Sequence, residues 1–443
     1  MTIKSTSVIL GLGRTGLSVA QYLMNQGEAF IVADDHPSPD AVDRLKQIAP
    51  QTKICALAEL VPHPNDRWIV SPGIPLTHPD VVRGRDLGVK LSNDVVIFSK
   101  DVSAPVVGIT GTNGKTTVTS MAAFLAQQQR NDVVLGGNIG TPCLDLLTAR
   151  ASAYFLELSS YQLELADGLP LRVATLLNLS PDHMDRYPSV EAYYAAKGRI
   201  LRNADVCVVA SALKEFADAH GANDTVTFSD QSPRTADEFG LKAVDGELYL
   251  TRGQQMLLPV RGLPVQGKTH YLNALAALAI GACLDLDLEQ MLDDLVRFEG
   301  LPHRCQKIER GDQIVWVNDS KATNVGATQA AVASLVELGP MILLLGGRSK
   351  NADLAALCHY LAAIPSIKLI LAYGESRESF STCLQGVAFQ TFEDFDQMVE
   401  QAIRSANPGD VVLLSPACAS QDQFSDYEAR GAYFEELLMR GAA

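Results

Sequence analysis

No stretch of this 443-residue chain can cross a bilayer: the longest apolar run, Ala274 to Leu284, falls far short of the roughly 20 residues a membrane helix needs. No basic tract is present either. Against 51 Asp+Glu there are only 36 Lys+Arg, a formal charge of −15, which excludes nucleic acid and anionic membranes as expected partners. The N-terminus reaches only Val8-Ile9-Leu10 before Gly11 interrupts it, so no export leader is expected. The cysteines (Cys55, Cys143, Cys207, Cys283, Cys305, Cys358, Cys383, Cys418) form no Cys-x-x-Cys pair, and reduced thiols in a cytoplasmic protein are expected. Repeats and low-complexity tracts are absent. What remains, 47% hydrophobic and 20% charged residues, is the composition of a globular protein, and its length suits about three domains of roughly 150 residues.

From Ser7 to Asp34 an apolar run, a glycine cluster, a helical pattern (Leu17, Ala20, Leu23, Met24) and a second apolar run (Phe30 to Ala33) read as strand, turn, helix and strand. Apolar runs at Trp68 to Val70 and Val95 to Phe98, separated by Ser71-Pro72-Gly73-Ile74-Pro75, put the end of a first domain near Asn93. A second α/β unit opens at Val106-Val107-Gly108. It continues through Tyr154 to Leu158, Ala174 to Leu179 and Val206 to Ala210, and ends near Glu299-Gly300-Leu301-Pro302 after two helical stretches. Strand-like runs at Ile314 to Val317, Ile342 to Leu345, Ile367 to Leu371 and Val411 to Leu414 make a third parallel-sheet domain. The expected fold is α/β in three domains, residues 1–93, 94–299 and 300–443.

Two glycine clusters carry phosphate chemistry. Gly11-Leu12-Gly13-Arg14-Thr15-Gly16 follows a strand, and Asp34 ends the next one, as a dinucleotide fingerprint requires. The residues alone leave a dinucleotide, another diphosphate and a tight turn open, since glycines that bare backbone amides serve any pyrophosphate. The second cluster, Gly108-Ile109-Thr110-Gly111-Thr112-Asn113-Gly114-Lys115-Thr116-Thr117, ends a strand and opens a helix. It is a variant phosphate loop, with Ile109 where the common pattern has glycine; Lys115 neutralises β/γ charge and the Thr116 hydroxyl can reach Mg²⁺. A simple dehydrogenase has no use for the second loop, so the pair points to a nucleotide-linked substrate and an NTP that activates it.

Other residues are ambiguous by themselves. Glu157 ends an apolar run, where an acid can complete Mg²⁺ coordination or merely cap a helix. His183, in Ser180-Pro181-Asp182-His183-Met184-Asp185-Arg186, could ligate or simply be hydrogen-bonded. Lys197 reads as a helix-surface lysine. Arg304, Asp319 and Lys321 suit either a cleft-facing loop or a solvated one. Cys418 is expected to be a buried thiol rather than a nucleophile, and Trp68 and Trp316 are expected in the core.

Taken together, these residues resemble the Mur ligases, ATP-dependent amide-forming enzymes of peptidoglycan precursor synthesis. The family marks are Gly108 to Thr117, Glu157-Leu158-Ser159-Ser160-Tyr161-Gln162-Leu163-Glu164, Asp182 to Tyr187, Tyr271-Leu272-Asn273-Ala274, Leu301-Pro302-His303-Arg304 and Asn318 to Asn324. Gly346-Gly347 with Lys350 and Asp353, and Leu414 to Ser420 with Asp422-Gln423-Phe424, resemble the members that add D-glutamate; the Asp-Asn-Pro-Arg motif of those that add a diamino acid is missing.

The resemblance implies Rossmann-like outer domains around a central P-loop NTPase-like domain with a mostly parallel sheet. It implies that Arg14, Thr15, Asp34 and Gly73 hold the UDP end of UDP-N-acetylmuramoyl-L-alanine, with Asn138 and His183 near its sugar-peptide part. ATP would be bound by Gly111, Thr112, Asn113, Gly114, Lys115, Thr116, Thr117, Asn273, Arg304 and Asp319. Two Mg²⁺ would be held by Thr116, Glu157, His183 and Lys197, the last carbamoylated by CO₂. D-glutamate would meet Lys321, Thr323, Lys350, Ser420 and Tyr427, the last a Phe in the best-known relatives. Lys115, His183 and Lys197 would be catalytic, with His183 or a nearby carboxylate the candidate base for the amine. The implied product is an amide formed through an acyl-phosphate by a monomer, in a pathway that serves cell shape and division. A hinge near residue 300 would let the third domain close over ATP. The rival readings are an NAD-dependent oxidoreductase, a nucleotide-switched binding protein, and a family member that adds another amino acid or extends folate.

Overall fold

The computed structural model describes residues 6–147, 150–349 and 353–440. Three sheets form three lobes. The first holds β1 (Ser7–Leu10), β2 (Phe30–Ala33), β3 (Ile54–Cys55), β4 (Arg67–Val70) and β5 (Lys90–Ser92) in the order β3-β2-β1-β4-β5, all parallel. Both faces of β1 are covered, and all four of its residues are buried, which is why it reads as an unbroken apolar run rather than an alternating one.

The second sheet contains β6 (Val106–Thr110), β7 (Val133–Gly137), β8 (Ala153–Glu157), β9 (Leu171–Leu176), β10 (Ala204–Ala210), β11 (Thr225–Phe228), β12 (Glu238–Val244), β13 (Glu247–Arg252) and β14 (Gln255–Pro259). Their order is β14-β13-β12-β11-β10-β9-β6-β8-β7. It is parallel from β7 to β12, while β13 and β14 extend it as antiparallel hairpins. The third sheet contains β15 (Gln306–Ile308), β16 (Val315–Asn318), β17 (Met341–Gly346), β18 (Ile367–Tyr373), β19 (Phe389–Phe392) and β20 (Val411–Ala417), in the order β15-β16-β20-β17-β18-β19. Only β15 runs antiparallel to its neighbour.

In open parallel sheets ligands bind beyond the carboxyl ends of the strands, where the strand order reverses. That rule gathers the sequence motifs. Gly11–Gly16 follows β1 and Ser71-Pro72-Gly73 follows its neighbour β4. The phosphate loop follows β6, with Glu157 closing β8 on one side and the 178–186 loop leaving β9 on the other. Asn318–Asn324, Gly346-Gly347 and Ala417–Ser420 leave the adjacent strands β16, β17 and β20.

Two details differ from the sequence reading. Val95 to Phe98 lies in a helix, Asp94–Asp101, because the Asn93 side chain accepts the Val96 N–H and caps it. Cys358 and Cys383 are not free thiols but a disulfide at 2.14 Å; they are 25 residues apart, and only the packing of helices Leu354–Ala362 and Arg377–Cys383 brings them together. The other six cysteines are free. Cys418 is buried with its thiol pushed up to about 11 by burial, as suits an inert core cysteine. Trp68 and Trp316 are core residues.

Candidate active site

The phosphate loop is built by its neighbour strand as much as by its own glycines. Asn113 N–H donates to Asn178 Oδ1 (2.8 Å) while Asn178 Nδ2 donates back to the Asn113 carbonyl (2.9 Å), and Thr112 N–H donates to the Asn178 carbonyl (3.0 Å). Gly114, at φ +82°, opens the helix Lys115–Gln129 in the left-handed region, and a Cβ there would stand 2.8 Å from Asn273 Oδ1. The left-handed φ is what calls for glycine at that position, and Asn273 stands against the loop from the helix Lys268–Cys283.

Charge is concentrated around this loop. Lys115 Nζ donates to the Gly111 and Thr112 carbonyls (both 2.9 Å), and burial, then nearby Arg304, pulls its ammonium below the ordinary lysine range against Glu157 and Asp182. Thr116 Oγ1 donates to Glu157 Oε2 at 2.6 Å, and Asn138 Nδ2 donates to Glu157 Oε1 at 2.9 Å. Lys197 is not the surface lysine its local sequence suggests. It is 2% exposed, its Nζ donates to the Gly111 carbonyl (2.8 Å) and lies 4.9 Å from the Tyr193 ring centroid. Burial, then Lys115, lowers its pKa well below the usual value. His183 sits at φ +58°; its Nδ1 is 2.7 Å from the Tyr161 hydroxyl and its Nε2 3.8 Å from Asp182 Oδ2. Burial, then Lys197 and Lys115, lowers its pKa, and Asp182 opposes them.

The third lobe brings its own charges to the same place. Asp319, buried, accepts from the Cys305 N–H (3.2 Å) and the Ser415 hydroxyl (2.9 Å), and burial raises its carboxyl to about 7. Lys321 Nζ lies 4.4 Å from the Tyr427 ring centroid; burial, then Arg304 and Lys115, brings its pKa down to about 8. Thr323 N–H donates to the Lys321 carbonyl, and buried Ser420 turns its carbonyl to the Gln423 and Phe424 amides. Lys350 lies outside the described residues. Four basic side chains from two lobes, Lys115, Lys197, Arg304 and Lys321, thus act on one another around Glu157 and Asp182. Such a cluster is costly unless polyanions fill it.

In the first lobe, Gly16 packs so closely that a Cβ would lie 2.0 Å from the Gly11 carbonyl oxygen, whereas a Cβ on Gly13 would meet nothing. Asp34 does not point outward: its carboxylate accepts the Leu12 (2.6 Å) and His36 (2.8 Å) amides and so fastens the loop. Arg14 donates to the Gly140 carbonyl of the middle lobe (2.5 Å), and Thr15 is half-buried beside it. Gly73 lines a cleft of ≈ 510 Å³ between the first two lobes with Pro72, Thr77, Tyr161, Asp185 and Arg186. Asn138, bound to Glu157, belongs to the phosphate-loop cluster.

Sequence reasoning placed Tyr161, Arg186 and Asn324 inside family motifs without giving them a role, and it passed over Asn178 and Arg430. Arg186 spans the cleft, donating to the Pro72 (2.5 Å) and Ile74 (3.3 Å) carbonyls with its guanidinium 3.9 Å from the Tyr161 ring centroid. Arg430 is fully buried and donates to Ser320, Tyr373 and the Cys418 carbonyl. Asn178 carried one legible signal, a polar residue directly after an apolar strand; nothing local marks the others.

Comparison with known proteins agrees with this geometry. The sequence matches the Mur ligase MurD-like N-terminal domain over residues 5–93, the Mur ligase middle domain over 109–281 and the Mur ligase glutamate ligase domain over 303–418. The chain belongs to the Mur ligase family. It is 40% identical to the UDP-N-acetylmuramoylalanine–D-glutamate ligase of Nitrosococcus oceani, over 98% of this chain and 97% of that one. It is 38% identical to the ligase of the same name from Haemophilus influenzae, over 98% of both. Among solved structures it shares the three-domain fold with a pseudomurein peptide ligase type C from Methanothermus fervidus (TM-score 0.63, 18% identity, 99% of this chain and 100% of that one). It shares it also with a MurF ligase from Thermotoga maritima in complex with ADP (TM-score 0.64, 16% identity, 94% and 96%).

Proposed function

We propose that the protein is an ATP-dependent, ADP-forming amide ligase that adds D-glutamate to UDP-N-acetylmuramoyl-L-alanine in peptidoglycan precursor synthesis. The observation that carries this reading is the convergence of Lys115, Lys197, Arg304 and Lys321 from two lobes on one phosphate loop, on a chain about 40% identical throughout to ligases of that name. Residues 1–93 hold the UDP end through Arg14, Thr15 and Gly73, with Asp34 bracing the loop. Residues 94–299 hold ATP, and residues 300–443 receive D-glutamate. The oxidoreductase reading is not favoured, because the relatives about 40% identical over nearly the whole chain are amide ligases.

In the reaction the L-alanyl carboxylate attacks the γ-phosphoryl group of ATP, releasing ADP and leaving an acyl-phosphate. The amine of D-glutamate then attacks the acyl carbon, phosphate leaves and an amide remains. Lys115 spreads the charge that develops on the transferring phosphoryl oxygens. Asn273, Arg304 and Asp319 position the nucleotide; Lys321, Thr323, Lys350, Ser420 and Tyr427 receive the amino acid. The enclosed site between the lobes keeps water from the acyl-phosphate. The enzyme acts as a cytoplasmic monomer in a pathway that serves cell shape and division.

Mg²⁺ would neutralise the phosphate charge, and Thr116, Glu157, His183 and Lys197 are the residues that would hold two such ions. Among the described residues no three His, Cys, Asp or Glu side chains form a metal cage, and an added anionic group would supply a further ligand beside the substrate phosphates. A carbamate fits. Burial beside Lys115 disfavours the charged ammonium of Lys197, and its amine would add to CO₂ with loss of one proton to give a carbamate.

The test is phosphate release with ATP, Mg²⁺ and UDP-N-acetylmuramoyl-L-alanine, comparing D-glutamate with L-glutamate, L-lysine and no amino acid, in CO₂-depleted buffer with and without added bicarbonate. Release that requires D-glutamate and recovers with bicarbonate is expected. Release with another amine would move the specificity, and indifference to bicarbonate would remove the carbamate.

A further inference from the structure

One side chain ties the third lobe to the phosphate loop. Asn324 Nδ2 donates across the lobe boundary to two acceptors, Asn113 Oδ1 at 3.3 Å and Asp182 Oδ2 at 3.2 Å. Asn113 belongs to the phosphate loop and is itself clasped by Asn178. Asp182 directly precedes His183 and accepts its backbone N–H at 2.8 Å. The other end of the same amide, Oδ1, accepts the Ala327 N–H at 2.8 Å and caps the helix Val325–Leu335. Gly326 in that helix is packed so that a Cβ would meet Ser180 Oγ at 3.4 Å and Asn113 Nδ2 at 3.5 Å. The helix start is therefore seated on the loop face. Three residues before Asn324 stands Lys321, and the Lys321 ammonium feels Lys115 across the gap.

We propose that Asn324 is a positioning residue: its amide N–H group latches the third lobe onto the phosphate loop and the Asp182-His183 segment, and so sets Lys321 and its neighbours against the activated substrate. This rests on the ligase reading above. The oxygen of Asn324 serves the helix, while its nitrogen serves the reaction. Asp and Ser cap helices as well as Asn does, yet neither carries the N–H pair, and Asp places a second carboxylate against Asp182. The latch therefore predicts a ranking that a mere helix cap does not.

The experiment is steady-state kinetics of Asn324→Asp, Asn324→Ser and Asn324→Ala in the full chain, with thermal melting of each. The expected result is a KM for D-glutamate raised, and a kcat lowered, by about tenfold or more in Asn324→Asp, for loss of a hydrogen bond to a charged group. Asn324→Ser should suffer less, both should keep wild-type melting temperatures, and UDP-N-acetylmuramoyl-L-alanine should bind all variants equally. Phosphate release without D-glutamate should rise relative to amide formation, as the loosened lobe admits water. Wild-type KM and kcat in Asn324→Asp and Asn324→Ser, with loss only in Asn324→Ala alongside a lower melting temperature, would make Asn324 a helix cap and overturn the proposal. Failure of the wild-type protein to release phosphate with D-glutamate would instead overturn the ligase reading.

Discussion

The two junctions between lobes are built on different principles. Between the first and second lobes one apolar cluster runs through both, joining Ile9, Leu17, Leu23 and Ile69 to Phe98, Tyr154, Leu156 and Leu171. Polar ties reinforce it: Ser18 Oγ to Asp145 at 2.7 Å, Tyr22 to Asp101, Arg14 to Gly140 and Asn93 Nδ2 to the Gln162 carbonyl at 2.6 Å. The third lobe keeps two apolar clusters of its own, and it meets the second through side-chain hydrogen bonds such as those of Asn324 and the Thr269–Ser334 hydroxyl pair at 3.2 Å. A shared core welds and cannot part without exposing apolar surface; a polar seam exchanges its bonds for water at little cost. Of the two seams, the second is therefore the less costly to part.

That contrast can be broken at its centre by Lys115→Ala, which removes the phosphate-loop cation that Lys321 of the third lobe faces. Turnover of ATP should vanish while binding of UDP-N-acetylmuramoyl-L-alanine, held by the welded pair, survives; isothermal titration beside a phosphate assay measures both. The weld itself is tested by Phe98→Ala. Phe98 is 1% exposed and meets Tyr154 edge-on at 5.2 Å, so its loss should cost about 3–5 kcal/mol. Calorimetry should show that loss in the transition of the first two lobes, with the third lobe's transition unmoved. The smallest effect concerns acid. His270 lies in an apolar pocket with Met121, Leu263, Phe298 and Gly300, beside the connector to the third lobe, and burial holds its imidazole down at about 4. Between pH 6.5 and 4 the unfolded chain takes up a proton that the folded chain refuses, so stability falls as pH drops through that window, by up to about 3 kcal/mol. His270→Leu should flatten this loss in melts recorded from pH 7 to 4.5.

Much of this was legible in the sequence because the chemistry sits on contiguous text at strand ends. A phosphate loop announces itself through Gly114-Lys115-Thr116, and Glu157 through its place at the end of an apolar run. Lys197 was not legible from its own surroundings: its burial depends on Gly111, 86 residues away, and helix periodicity gives no sign of it. The resemblance to a family supplied that residue, not the local pattern. The hairpins β12-β13-β14 also escaped notice, since half-exposed edge strands such as Gln255–Pro259 carry no continuous apolar run. Asn324 and Arg430 act through partners more than a hundred positions distant, beyond the reach of any local reading.

The position of β20 bears on how the molecule is made. In the first sheet the central strand, β1, is the earliest to be synthesised, and in the second the earliest, β6, lies inside the sheet with later strands added on both its sides. In the third, β20 is the last strand of the chain yet sits between β16 and β17. Until Val411–Ala417 leaves the ribosome, that sheet has an empty slot at its middle, and pairing across such a sequence distance is slow. The welded pair can therefore be complete while the last lobe is still unformed. The lobe joined by the polar seam is also the lobe that is completed last.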